Sequence, residues 1–281
     1  MNTKFYNNFK TAMLLGLMSA MILVIGAQFG QQGLTVALIM AAGMNFVGYF
    51  FSDKIALMSM QAHEVGPEHE LYRIVEPLAQ RAGLPMPRVY ISPVDAPNAF
   101  ATGRNPQHAA VCATEGLLQV LNRDEVAGVM AHELAHVKHR DILITSVAAT
   151  IGAAISYLGY MVMFTGGRDR DGEGSPLGGL LVLILGPIAA GLIQAAISRS
   201  REFNADKVGA EIAGNPMHLA TALEKIHNLA HRVPMDVNPA LNGLFIAEPL
   251  NAFGEGLVNM FQTHPPLEQR LMNLIGRPSI R

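Results

Sequence analysis

From Thr11 to Ser52 the chain carries no charged side chain, and no other feature limits its fold as much. A membrane-crossing helix needs roughly 20 apolar residues, so the run is long enough for two. Gln28, Gly30, Gln31, Gln32 and Gly33 interrupt it near its middle and mark a turn. Lys10 lies before it and Asp53–Lys54 after it. This reads as a helical hairpin in a bilayer, with Gly26-x-x-x-Gly30 as a candidate packing point for small residues. No small-residue cleavage site precedes the second segment, so the first is expected to be a span and not a cleaved signal peptide. Composition agrees: 15% of residues are charged, against about 25% in soluble domains.

Two further uncharged runs, Ile142–Gly167 and Gly174–Ser198, are also long enough to span. The expectation is a mainly α integral membrane protein with four transmembrane helices. Lys4, Lys10, Lys54, Lys138, Arg140, Arg199 and Arg201 all then fall on one side. The other side keeps only the Gln-rich turn and the mixed-charge loop Arg168–Glu173. The positive-inside rule makes the basic side cytoplasmic and the protein a multi-pass component of the cell's inner (plasma) membrane. Residues 1–52 and 142–198 are the membrane pairs. Residues 53–141 and 199–281, on the same side, can form one water-exposed domain.

Net charge is −2, so no basic field points to nucleic acid. Cys112 is the only cysteine, which excludes intramolecular disulfides and thiolate clusters. Within Ala-Ala-Val-Cys-Ala it reads as a buried strand residue. No GxxxxGK[ST] loop occurs, so no built-in ATPase is expected.

The first soluble stretch reads as helix, strand, strand, helix. Leu71, Ile74, Val75 and Leu78 give helical spacing over Pro67–Ala82. Arg88–Ile91 and Ala109–Ala113 are strand-like. The second stretch reads as helical to about Ala230 and loop-rich over Pro234–Gly256. Asn122-x-x-Glu125 is a capping box, and the helix it opens carries His132-Glu-Leu-Ala-His136. Residues four apart share a helix face, so both imidazoles can reach one metal. Glu133, offset around the helix, can act as general base on water. His63-Glu64 and His69-Glu70 lack a second histidine and read as surface pairs.

A catalytic zinc needs a third protein ligand and an open position. The HExxHxxGxxH arrangement is ruled out, because His139 and Ile142 stand where it needs glycine and histidine. Glu202 and Asp206, four apart after the last apolar run, offer another solution. Glu202 would bind zinc, one ion per chain. Asp206 would accept a hydrogen bond from the far nitrogen of a ligand histidine. His139 and His264 are the next candidate ligands, although His139 reads as a polar helix-end residue.

His132-Glu-Leu-Ala-His136, Ser200-Arg-Glu202-Phe-Asn-Ala-Asp206, Asn98-Ala-Phe-Ala-Thr-Gly103 and Thr263-His-Pro-Pro266 together resemble the HtpX membrane peptidases, relatives of the CAAX prenyl endopeptidases. The resemblance implies a gluzincin-like α+β catalytic domain with a small β-sheet. It implies a zinc metalloendopeptidase acting on membrane and misfolded proteins in quality control. It also implies that Asn98, Ala99, Phe100 and Ala101 lie on an exposed sheet edge that receives substrate, and that His264 stabilises the transition state. Processing of prenylated tails and a catalytically silent zinc scaffold are the alternatives.

Overall fold

The computed structural model describes residues 3–28, 30–151, 199–230, 246 and 265–280. The expected third span beyond Ile151, the fourth span, the Arg168–Glu173 loop, the Pro234–Gly256 loop apart from Ile246, and His264 lie outside them.

The uncharged run forms two helices, α1 (Thr3–Ala27) and α2 (Gly30–Phe50), both long and apolar enough to cross a membrane. Their outer faces are apolar and uncovered: Val24 is 64% exposed and Ile39 68%. Side chains of this kind suit lipid, not water. Gly26 does mark the crossing of the two helices, but Gly30 is not its partner. A Cβ on Gly26 would lie 2.2 Å from Cβ of Ala37 and 2.8 Å from the carbonyl of Gly33 on α2. Gly30 instead takes φ +72° at the turn, where only glycine is unstrained.

The helix α3 (Ser52–Ser59) follows, and then strand β1 (His63–Val65), α4 (Glu70–Ala82), β2 (Arg88–Ser92), β3 (Ala99–Gly103), β4 (Ala109–Thr114) and α5 (Glu115–Val120). The sheet order is β1-β2-β4-β3, with β2 and β4 parallel and both edge strands antiparallel to their neighbours. The two expected strands are the central ones. Side chains alternate across the sheet, as a period of two requires. Val89, Ile91, Ala101, Val111 and Ala113 enter the main core with α4 and α6 (Arg123–His139). Tyr90, Phe100, Ala110 and Cys112 pack on the other face against Leu57, Met60 and Ala149. Burial there pushes the Cys112 thiol pKa well up, leaving a small inert core residue.

The helix α7 (Ile142–Ile151) follows α6 directly, and its Leu143, Ile144 and Val147 pack with Leu14 and Met18 of α1. The remaining helices are α8 (Arg199–Ala213), α9 (Pro216–Ala230) and α10 (Leu267–Ile275). The stretch is helical to Ala230 as expected, in two helices divided at Gly214, which takes φ +85°. The centre of the domain is α6. Glycines let its neighbours approach closely: a Cβ on Gly209 would meet the His132 backbone at 2.8 Å, and one on Gly128 the Leu219 nitrogen at 2.5 Å.

Candidate metal centre

The metal helix is fixed at both ends. At its start the Asn122 side chain accepts from the Glu125 N–H, and the Glu125 carboxylate accepts from the Asn122 N–H. Lys225 of α9 also donates to Glu125 at 2.7 Å. At its end Arg140 takes a left-handed φ of +60° and its N–H bonds back to the carbonyls of His136 and Val137. That turn reverses the chain, so Asp141 returns toward the helix it has just left.

His132 and His136 lie one turn apart with their Nε2 atoms 3.2 Å from each other. Gly209 holds α8 tight against α6 and brings Glu202 to them. Its carboxylate oxygens lie 3.8 Å from His132 Nε2 and 3.5 Å from His136 Nε2. All three donor atoms fall within 4.8 Å of one another. A tetrahedral zinc with bonds of about 2.0–2.1 Å sets its donors roughly 3.3 Å apart, so the donor set and its spacing fit that ion. Glu133 is 3% exposed and its charge acts on the His136 ring. His139 stays outside the cluster, at the helix end with its ring 3.3 Å from Asn204 Nδ2. His69 caps α4 by accepting from Leu71 N–H, and Glu64 accepts from the Tyr90 hydroxyl. Neither surface pair joins the centre.

Each ligand imidazole has a carboxylate behind it. His132 Nδ1 lies 2.9 Å from Asp206 Oδ1, the arrangement expected of Asp206. Arg270 then grips Asp206 bidentately at 2.6 and 2.9 Å. His136 Nδ1 lies 3.4 Å from Asp141 Oδ2. Asp141 in turn accepts from Asn7 of α1 at 2.7 Å and lies 3.6 Å from the Arg201 guanidinium. Sequence reasoning missed Asp141, Arg270 and Asn7. Arg270 left a readable signal. It interrupts the apolar stripe of Leu267, Leu271 and Leu274 on α10, and a charge on a core stripe implies a buried partner.

The two imidazoles differ electrostatically. Burial pushes His132 down to about 4, and its Asp206 bond offsets only part of that. Burial also works against a charged His136, but Glu202, Asp141 and Glu133 together outweigh it and raise that ring to about 9. Asp206 is held below the usual carboxylate range despite its burial, chiefly by Arg270.

The expected substrate strand is the sheet edge, but it is not exposed. Ala99, Phe100 and Ala101 are buried, as is Asn98. Phe100 belongs to the core beneath the sheet. At Ala99 the outward carbonyl accepts from Ile246 N–H at 3.2 Å, and Asn98 Oδ1 accepts from it at 3.1 Å. Arg270 also donates to the Ile246 carbonyl at 3.2 Å, which links the strand edge to the His132 brace.

Comparison with known proteins agrees with this geometry. Peptidase family M48 matches residues 66–277, which contain every residue of the donor cluster. The chain belongs to peptidase family M48. Among curated M48-like relatives, a protease HtpX homolog of Burkholderia cenocepacia is 53% identical over 277 residues, covering 96% of both chains. A protease HtpX homolog of Desulfatibacillum aliphaticivorans is 53% identical and covers 96% of this chain and 89% of its own. The crystal structure of Ste24p from S. mikatae superposes with a TM-score of 0.51 at 19% identity. It covers 97% of this chain, which spans 66% of that longer protein. At that identity the likeness concerns the fold alone. As an M48 member with these relatives, the chain is a membrane metalloprotease.

Proposed function

We propose that this M48 protein is a zinc-dependent endopeptidase that cuts membrane and misfolded proteins at the cytoplasmic face of the cell's inner membrane. One observation carries the reading: the His132–His136–Glu202 donor cluster, with buried Glu133 beside it, lies where apolar helices meet the soluble domain. The metal helix runs into α7 after two residues, and Asp141 bonds to α1. A polypeptide leaving the bilayer would meet this site first.

His132, His136 and Glu202 would hold the ion. Zinc in such a site supplies Lewis acidity, which lowers the pKa of water to about 7 and polarises a carbonyl. Glu133 takes a proton from the attacking water and returns it to the leaving amine. Asp206 and Asp141 fix which nitrogen of each imidazole faces the ion. His264 would donate to the substrate oxygen as charge develops there. An extended substrate backbone would pair with the β3 edge around Asn98–Ala101, accepting many sequences, by displacing the Ile246 N–H from the Ala99 carbonyl. With the uncharged runs 142–167 and 174–198, the membrane part would have four spans. The intact base Glu133 argues against a silent membrane scaffold, since a structural zinc needs no base.

Glu133→Gln tests this reading. The purified variant is expected to keep its zinc and lose at least about a thousandfold in casein hydrolysis. Near-full activity with zinc bound would remove Glu133 from the mechanism.

A further inference from the structure

At the far end of β3 from Asn98 a second site is built. A cavity of about 530 Å³ opens between the end of α2 and the turn joining β3 to β4. That is within the usual range for small-ligand sites, roughly 300–1,000 Å³. Phe46 and Phe50 of α2 line its apolar side, and Lys54, Arg88 and Arg104 line its polar side with Asp53. Arg88 is already neutralised: it donates to Asp53 at 2.9 Å. Among the described residues, Lys54 and Arg104 have no ion-pair partner. Each lies over a ring, Lys54 at 5.2 Å from the Phe51 centroid and Arg104 at 5.6 Å from that of Phe50. Two uncompensated cations thus face one concave space whose other wall is the end of an apolar helix. Phe46 and Phe50 are 57% and 42% exposed there.

We infer that this cavity holds the headgroup of an anionic phospholipid, its phosphodiester between Lys54 and Arg104 and its acyl chains along Phe46 and Phe50. The inference rests on reading α2 as a membrane helix, which sets this end of it at the lipid–water boundary. Tyr49, between Phe46 and Phe50 on α2, is of the type enriched at that depth, and basic pockets beside membrane helices take anionic headgroups. A soluble anion would satisfy the two cations but would leave the phenylalanine wall uncovered. A zwitterionic lipid would cover the wall but would bring a cation next to Lys54 and Arg104. Only an anionic lipid satisfies both sides. Bound there, it would fasten the sheet to the bilayer surface through the turn after Gly103.

Native mass spectrometry of the full chain in detergent tests this with dioleoyl phosphatidylglycerol, dioleoyl phosphatidylcholine and inorganic phosphate. The wild type is expected to retain phosphatidylglycerol in preference to phosphatidylcholine. The double variant Lys54→Gln/Arg104→Gln is expected to bind it roughly thirty-fold more weakly, about fivefold per cation. Lys54→Gln/Arg104→Lys, which keeps one charge, should fall between, and Lys207→Gln on distant α8 should match the wild type. Unchanged affinity in the double variant, or equal retention of both lipids, would overturn the site. Displacement of phosphatidylglycerol by an equal concentration of phosphate would also overturn it. Circular dichroism checks that each variant is folded. Carbonate extraction checks the other premise separately: release of the protein from membranes would remove α2 from the bilayer whatever the lipid result.

Discussion

The two histidines of the donor cluster are one helical turn apart, yet they belong to different parts of the molecule. His132 is 1% exposed and backed at 2.9 Å by Asp206, which α10 clamps through Arg270. Its support lies wholly within the soluble domain. The His136 side chain is 15% exposed and backed at 3.4 Å by Asp141. Asp141 lies on the threshold of α7, is bonded to Asn7 of α1 and faces Arg201 of α8, so the support of His136 comes from the apolar helices as well as from the soluble domain. His132 is fully buried and its ring is kept neutral. His136 is more open, sits among carboxylates and favours the imidazolium. A donor cluster built this way links the soluble domain to the apolar helices, and an ion bound in it would draw them together.

The largest asymmetry should appear on removing the cations behind the two carboxylates. Arg270→Met leaves Asp206 charged and buried without its cation, with His132 still beside it. Breaking such a pair costs about 3–5 kcal/mol, which thermal unfolding in detergent would register as a clear fall in midpoint. Arg201→Met should cost distinctly less, because Asp141 keeps its Asn7 bond and its cation stands off at 3.6 Å. Equal losses would mean that the two braces are equivalent. One step nearer the metal, Asp206→Ala should weaken metal binding by about 10–100-fold, as partners of ligand histidines typically do. Asp141→Ala should weaken it less, since its contact is longer and more open. Metal titration by competition with a chromophoric chelator ranks the two, and a larger loss at Asp141 would invert the comparison.

That asymmetry divides along the line between local and distant geometry. His132 and His136 were legible because a helix puts residues four apart on one face, and the Asn122–Glu125 box announced the helix. Glu202 and Asp206 were legible by the same spacing, although Gly209, which brings α8 close, gave no sign of its role. In the sequence Asp141 is marked only as the last residue of the soluble stretch 53–141. Its return to His136 depends on a left-handed Arg140, a conformation that an arginine does not advertise. Asn7 contacts Asp141 across more than a hundred residues, and nothing local marks it. The strand β1 is three residues long and owes its existence to pairing with β2. The edge strand was expected to lie open because the motif of Asn98–Gly103 carries no trace of Ile246 beside it.

Protonation gives a finer test. With its pKa raised to about 9, His136 holds a proton at neutral pH in the metal-free protein. That proton stabilises the metal-free fold fully below the ordinary histidine value of about 6.5, and the contribution is lost as pH rises through about 9. Metal must displace it, so apparent affinity should climb about tenfold per pH unit up to about 9 and then level off. His132, lowered to about 4, has no proton to lose over that range. Calorimetry in buffers of different ionisation enthalpy should therefore find about one proton released per metal at pH 7.5. Asp141→Asn removes one of the charges that raise His136, so release at pH 8 should drop in that variant. No release from the wild type would remove the electrostatic difference between the two rings.

The smallest effect expected is the most specific to this architecture. Asn7 is 2% exposed, donates to Asp141 at 2.7 Å, and lies 3.4 and 3.5 Å from the carbonyls of His139 and Arg140. A residue on the first membrane helix thus holds the end of the metal helix and the carboxylate behind His136. Asn7→Leu keeps the branched shape, with bulkier ends, and deletes the bond. Asp141 still has His136 and Arg201, so metal affinity should fall only about three- to fivefold, below the range of a direct ligand partner. A general loosening of the hairpin could mimic that loss, and a double-mutant cycle separates the two. If Asn7 acts through Asp141, Asn7→Leu should add almost nothing in an Asp141→Ala background. In an Asp206→Ala background its effect should persist in full. Equal effects in both backgrounds would make Asn7 a packing residue of α1 and leave His136 supported by the soluble domain alone.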